Sequence, residues 1–284
     1  MAVALAGALR ASGVTRISAW SRQPNDVGQR LALQRRISAA GVTQSQTLVE
    51  LVSTADAVMS CLPADAVASI AEQAARALRS GTLYVDFATA SPAVKESAAA
   101  VIGGVGGRYV DAAVLGAVAA GGVTVPIVAA GPAAAEFAVL SRDLGLVVSA
   151  IHAPAGGAAK IKLLRSAYLK GRDALVAEMM LAAHRLGVGD SVVRSIGGPG
   201  EEVPFPDLVD RILRSLALHA HRRAAELHAA EDLLQQAGVE PAAVRGGVRR
   251  LQLLAGLHLR EEFGGQRPAS GEEVLSALDR LGAG

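Results

Sequence analysis

The sequence predicts an α/β chain in two parts, a doubly wound parallel-sheet domain over residues 1–153 and an all-helical domain over residues 154–284. Three observations carry this reading. Short β-rich runs at 16–20, 57–62, 83–87, 109–114, 123–128 and 146–151 are mostly apolar instead of alternating, the pattern of strands buried on both faces. Ala- and Leu-rich helical stretches at 2–11, 31–40 and 66–79 lie between several of them, and such alternation builds βαβ units. From about Pro154 onward the strand texture stops and helical patterning takes over.

The connections support these elements in turn. Asp26, Val27 and Gly28, and then Ser80 and Gly81, supply turn and helix-end chemistry between strand and helix. A long helical pattern covers 157–186 with one internal glycine, Gly171. A Gly/Pro-rich break follows at 197–206, then a second long helix at 207–236 that Gly238 closes. Shorter helices are expected after Pro241 and after Ser270, where the Glu272–Glu273 pair suits a first turn.

Composition narrows the function classes. Hydrophobic residues are 51% of the chain and aromatics only 3%, so the core is built from Ala, Val and Leu. A balance of 28 basic and 26 acidic residues, net +2, argues against nucleic acid as a partner. The single cysteine, Cys61, has no intramolecular disulfide partner, and nothing else suggests export. Residues 112–135 carry no charge over 24 positions. Six glycines and prolines break that stretch into short apolar runs, which fits buried strands better than a membrane helix. A cytoplasmic protein with no membrane partner is expected.

A doubly wound nucleotide-binding domain normally opens with a strand and a Gly-rich turn ahead of its first helix. This sequence opens at the helix, and no G-x-G-x-x-G stands near it. The expectation is a domain without its first strand, either truncated or relieved of tight cofactor binding. At the end of the second strand of such folds a carboxylate selects NAD and a basic residue admits the extra phosphate of NADP. Here Ser21 and Arg22 occupy that place, so NADP is expected ahead of NAD. Leu62, Pro63 and Asp86 complete the candidate cofactor contacts.

Three later segments carry a family likeness. YVDFATASP at 84–92 resembles the D-x-S-T-x-x-P loop of β-hydroxyacid and 6-phosphogluconate dehydrogenases. The segment 109–131 resembles their following D-A-P-V-S-G-G segment, and 156–171 the start of the interdomain helix with the catalytic lysine. Lys162, the Arg165–Ser166 pair, the Lys170–Gly171 pair, and His219, Arg222, Arg223 and Glu226 resemble one branch, phosphogluconate dehydrogenase-like proteins with a distinct helical C-terminal domain. The likeness covers essentially the whole chain. It implies a Rossmann-like first domain, an NAD(P) cofactor, and Thr89 and Gly116 as substrate contacts. Three departures stand out: Ala88 and Leu115 replace the two loop serines, and Ser166 replaces an asparagine.

The residues suggest the chemistry independently. Lys162, Ser166 and Lys170 share one helix face through their four-residue spacing. Alcohol oxidation needs a group that takes the hydroxyl proton while hydride leaves the carbon. A lysine in a partly apolar cleft suits that role, with Lys162 preferred to Lys160, the rival. Lys170 is a candidate substrate contact. His219 and Arg223, on one face of the second long helix, are candidate substrate contacts too, gripping an anionic group. Equally, that row could form an internal ion-pair ladder. His219, His221 and His228 do not make a metal site, and no nucleophile motif is present. The expected activity is hydride transfer between NADP(H) and a small hydroxy acid or related carbonyl, in a homodimer. An imine reductase-like enzyme and a non-catalytic dimeric relative are the alternatives.

Overall fold

The computed structural model describes residues 1–22, 26–196 and 203–282. It divides into two compact units, Met1–Ser166 and Ala167–Gly284. The first contains, in order, α1 (Ala2–Ala11), β1 (Ser18–Ala19), α2 (Val27–Ala39), β2 (Thr43–Gln44), α3 (Leu48–Thr54), β3 (Ala57–Ser60), α4 (Val67–Ala75), β4 (Leu83–Asp86) and α5 (Pro92–Gly104). After these come β5 (Arg108–Val114), α6 (Val118–Gly121), β6 (Ile127–Ala130), α7 (Ala134–Asp143), β7 (Val148–Ala150) and the first turns of α8 (Gly157–Arg185). The second unit holds the rest of α8, then α9 (Gly189–Ile196), α10 (Phe205–Gln236), α11 (Ala242–Gly256), α12 (Leu259–Glu262) and α13 (Gly271–Arg280).

The strands form two sheets, a parallel β1–β2 pair and a five-stranded sheet in the order β3-β4-β5-β6-β7. Arg16, just before β1, and Asp56, just before β3, form a long exposed ion pair at 3.9 Å. Helices cover both faces of the larger sheet, as the continuous apolar runs require. Leu5 of α1 and Phe137 of α7 pack with Val85, Val110 and Ile127 on one face. Val67 and Ala71 of α4 and Ala98 and Ile102 of α5 pack with Tyr84 and Tyr109 on the other. Period-two alternation therefore sends Val85 and Val110 one way and their tyrosine and aspartate neighbours the other.

Two details differ from expectation. β6 runs antiparallel to β5, and β7 follows β6 in direction. The link from β5 to β6 holds only the four-residue α6 and a 3-10 turn at Gly122–Thr124, which carries no full crossover helix back along the sheet. That turn also delays the strand expected at 123–128 until Ile127. Strand β1 falls within the run expected at 16–20, whereas β2 and helices α3, α5 and α7 were not foreseen as elements.

Local signals explain the ends. Asp26 accepts a hydrogen bond from Gln29 N and starts α2. Ser91 caps α5 ahead of Pro92. In the second unit α10 packs against α11 and α13 around two small cores, one centred on Leu234 and Val244, the other on Ala217 and Val274. Gly238, at φ +73, ends α10. At the start of α13, Glu273 N donates to Ser270 Oγ at 3.2 Å and the Glu273 carboxylate accepts from Ala269 N at 2.8 Å, an N-terminal cap close to a capping box. Most of the expected Gly/Pro-rich break at 197–206 lies outside the described residues. No helix among the described residues is long and apolar enough to cross a membrane.

Candidate active site

Because β3, β4 and β5 are parallel, their C-terminal ends open on one edge of the sheet, where ligands of open α/β folds bind. The loop after β4 is short. The Asp86 side chain accepts from Ala88 N through Oδ1 at 2.9 Å, and Ser91 already starts α5. This tight turn buries Ala88 and leaves Thr89 exposed. On α8, Lys162 Nζ donates to Thr89 Oγ1 at 2.7 Å. An ammonium is thereby held at the mouth of the sheet edge by a hydroxyl one loop away.

Behind this contact lies a buried ionic cluster. Tyr84, Val85 and Asp86 pair rung for rung with Tyr109, Val110 and Asp111, so the same tripeptide stands twice, side by side. The tyrosine rings stack at 5.9 Å. Both carboxylates have no exposed surface, and Lys95 of α5 is 1% exposed. Lys95 Nζ lies 3.0 Å from Asp86 Oδ2 and 3.4 Å from Asp111 Oδ1, and donates to the Asp86 carbonyl at 2.9 Å. The Lys95–Asp111 approach is poorly aligned for a hydrogen bond, since Asp111 Oδ1 has no hydrogen-bond donor; we read it as an ion pair. Tyr109 OH donates to Asp86 Oδ2 at 2.8 Å. Burial, then Asp86, pushes the Tyr109 hydroxyl far above its ordinary acidity range, so it stays a donor. Asp111 Oδ2 accepts from Gly156 N at 3.1 Å and Ala159 N at 3.0 Å. A carboxylate from a strand thus satisfies the open N–H groups at the start of α8. Gly156 sits at φ +91, where an added Cβ would press on the Pro92 carbonyl oxygen at 3.1 Å.

The structure brings together Lys162 and Thr89 and sets Ser166, half-buried, one turn further along α8. Lys160, the rival, pairs with Glu96 at 3.2 Å with both side chains about half exposed. Gly116 has a packing reason to be glycine: an added Cβ would meet Val125 Cγ1 at 2.8 Å. Ser21 and Arg22 follow β1, with Arg22 exposed. Leu62 and Pro63 follow β3. Met1, at the start of α1, packs in the same cluster as Met59 and Cys61. Burial pushes the Cys61 thiol up to about 11, with the chain's amino group pulling the other way. The N-terminus of α1, which has no side-chain cap, therefore lies beside the 61–63 loop, and bare helix N-termini suit phosphate.

One expectation needs correction. Asp86 was expected among the cofactor contacts, but its carboxylate is enclosed and engaged by Lys95, Tyr109 and Ala88 N. The carboxylate acts on the loop from behind, surrounded by protein. Lys170, His219 and Arg223 belong to the second unit. There, Arg223 Nη2 donates to Ser215 Oγ at 2.8 Å, and Arg222 pairs with Glu226 at 3.6 Å.

Sequence reasoning missed Lys95, Asp111 and Tyr109. A signal existed: two YVD tripeptides within apolar strand runs, and a lysine at the fourth position of the helix PAVKESAAAVIGG. Buried carboxylates need a cation, and that lysine supplies it.

Residues 1–141 match the family described as NAD binding domain of 6-phosphogluconate dehydrogenase. Residues 183–254 match a domain of unknown function, DUF1932. Among solved structures, a conserved hypothetical protein from Sinorhizobium meliloti is 26% identical, covering 99% of this chain and 93% of its own, at a TM-score of 0.61. A conserved protein described as structurally similar to 3-hydroxyacid dehydrogenases is 29% identical over 89% of this chain and 95% of its own, also at 0.61. The Streptomyces aurantiacus imine reductase is 18% identical over 97% and 95%, at 0.72, and shares the fold.

Proposed function

As an NAD(P)-dependent oxidoreductase whose first domain belongs to the 6-phosphogluconate dehydrogenase NAD-binding family, this chain, we propose, moves hydride between NADP(H) and a small hydroxy acid or related alcohol or carbonyl. The observation that carries the reading is the Lys162–Thr89 contact at 2.7 Å on the C-terminal edge of the sheet. Lys162 Nζ, as the neutral amine, takes the hydroxyl proton during oxidation and becomes the ammonium, which returns that proton during reduction. Thr89 Oγ1 orients the ammonium, and Ser166 bonds the substrate oxygen from the same helix face. When bound, the nicotinamide supplies or accepts the hydride. The exposed Arg22 with Ser21 takes the 2′-phosphate, which favours NADP. The start of α1 and the Leu62–Pro63 loop receive the pyrophosphate.

A second reading, reduction of imines, is favoured by the fold shared with the Streptomyces aurantiacus enzyme. Retention of a lysine at 162 supports alcohol chemistry instead. A homodimer through the helical unit is supported by Leu175, Val176, Leu181, Val193 and Ile196, all exposed on α8 and α9. We place the enzyme in the cytoplasm.

The test is a fluorescence titration of the protein with NADPH and with NADH. Saturation with NADPH preferred supports the reading and calls for a panel of hydroxy acids and cyclic imines. Absence of binding at millimolar nucleotide leaves the non-catalytic alternative.

A further inference from the structure

Within the second unit, α10 and the segment just before α13 enclose a cavity of about 280 Å3 lined by Arg211, Arg214, Ser215, Leu218, His219 and Arg267. Three of these six residues carry permanent positive charge. The neighbouring carboxylate of Asp210 is already engaged. Its Oδ1 accepts from Gly271 N at 2.7 Å and its Oδ2 from Arg214 Nη1 at 3.1 Å, and these two bonds hold its carboxyl below the usual range. Asp210 therefore offsets one guanidinium and leaves two. Arg214 is fixed further by donating from Nε to the Pro268 carbonyl at 2.8 Å. Arg267 contributes only a longer-range attraction to Asp210, and Arg211 has no partner among the described residues. Ser215 Oγ accepts from Arg223 Nη2, which leaves its own proton to donate. A rigid guanidinium, two that hold no partner among the described residues, and a hydroxyl donor around one cavity form a recognition set for doubly charged oxyanions.

We propose that this cavity binds a small dianionic oxyanion, either the phosphate of a phosphate monoester or a short dicarboxylate. The inference stands apart from the hydride-transfer reading, because every residue lies in the second unit and the test needs no nucleotide.

The experiment is calorimetric titration of the full chain with inorganic phosphate and, separately, malonate, comparing wild type with an Arg211→Gln/Arg267→Gln variant. Saturable binding to one site per chain is expected, with affinity at least about tenfold weaker in the variant. The variant's thermal midpoint without anion should match wild type, since neither side chain holds a described partner. If the midpoint falls, an Arg211→Lys/Arg267→Lys variant keeps the charge and removes the planar fork, and it must still bind phosphate or malonate more weakly than wild type. Saturation by phosphate alone assigns a phosphoryl group, by malonate alone a dicarboxylate, and by both the shared oxyanion chemistry. No saturation with either probe at tens of millimolar, or wild-type affinity retained in the folded variants, overturns the proposal.

Discussion

Asp86 and Asp111 occupy the same rung of neighbouring strands, fully enclosed, and share one buried ammonium, that of Lys95. Each carboxylate also holds one half of the candidate site. Asp86 fixes the turn at Ala88 that presents Thr89, and Asp111 fixes the first turn of α8, just ahead of Lys162. The 2.7 Å contact between Lys162 and Thr89 therefore rests on two carboxylates that a single lysine ties together.

Lys95→Met should destabilise the protein by about 3–5 kcal/mol, because it leaves two buried carboxylates without their counter-charge. Urea denaturation would measure it. A loss under about 1 kcal/mol would mean that backbone N–H groups and Tyr109 alone satisfy both carboxylates.

Tyr109→Phe isolates one bond of the same cluster. The ring, its stacking on Tyr84 and its burial remain, and only the donor to Asp86 Oδ2 is lost. The expected cost is about 1–3 kcal/mol, the desolvation of an acceptor left short of a partner. A neutral result in the same denaturation assay would show Lys95 sufficient for Asp86.

The contrast with sequence reasoning follows from what each signal measures. Apolar runs such as 83–87 and 109–114 report burial on both faces, so β4 and β5 were legible. So were α1 and α8, whose composition and length leave no competing reading. Strand direction was not, since it depends on whether the link can carry a crossover, and the glycines of 116–122 hide a four-residue helix. Lys162 and Thr89 were singled out by likeness as candidates, but their meeting needed α8 to be anchored by Asp111. A carboxylate at the end of an apolar run looks like a ligand group when its partner, Lys95, sits nine residues further on in a helix. That is why Asp86 was misread.

Alkaline conditions should weaken the fold through three buried acids, Tyr109, whose raised hydroxyl starts to cost stability above pH 10.0, and two others. Cys61 is raised from 9.0 to about 11 and Tyr84 from 10.0 to about 12, in both cases first by burial. A raised folded value means that the native state favours the protonated form. The contribution is thus complete below pH 9.0 and lost as pH climbs through about 11 for Cys61, and between 10.0 and about 12 for Tyr84. Thermal midpoints measured across that window should fall, and less steeply in Cys61→Ala. Identical slopes for the two proteins would exclude Cys61 as a source.

The two lysines of α8 should separate cleanly. Lys160 forms an ion pair with Glu96 in which the side chains are 56% and 50% exposed, and such pairs contribute within about 1 kcal/mol. Lys160→Ala should leave both stability and turnover close to wild type. Lys162 bonds a hydroxyl at the sheet edge and is assigned the proton transfer, a role that contributes about 100- to 10,000-fold. Lys162→Ala should lower turnover by that factor, read as nucleotide absorbance change with whichever hydroxy acid the panel identifies, while nucleotide affinity stays unchanged. Thr89→Val keeps the shape of the side chain and removes the acceptor, so it should reproduce a smaller part of the loss. The opposite pattern, an inactive Lys160→Ala beside an active Lys162→Ala, would transfer the acid/base role to Lys160 and reduce the Lys162–Thr89 contact to a structural tie.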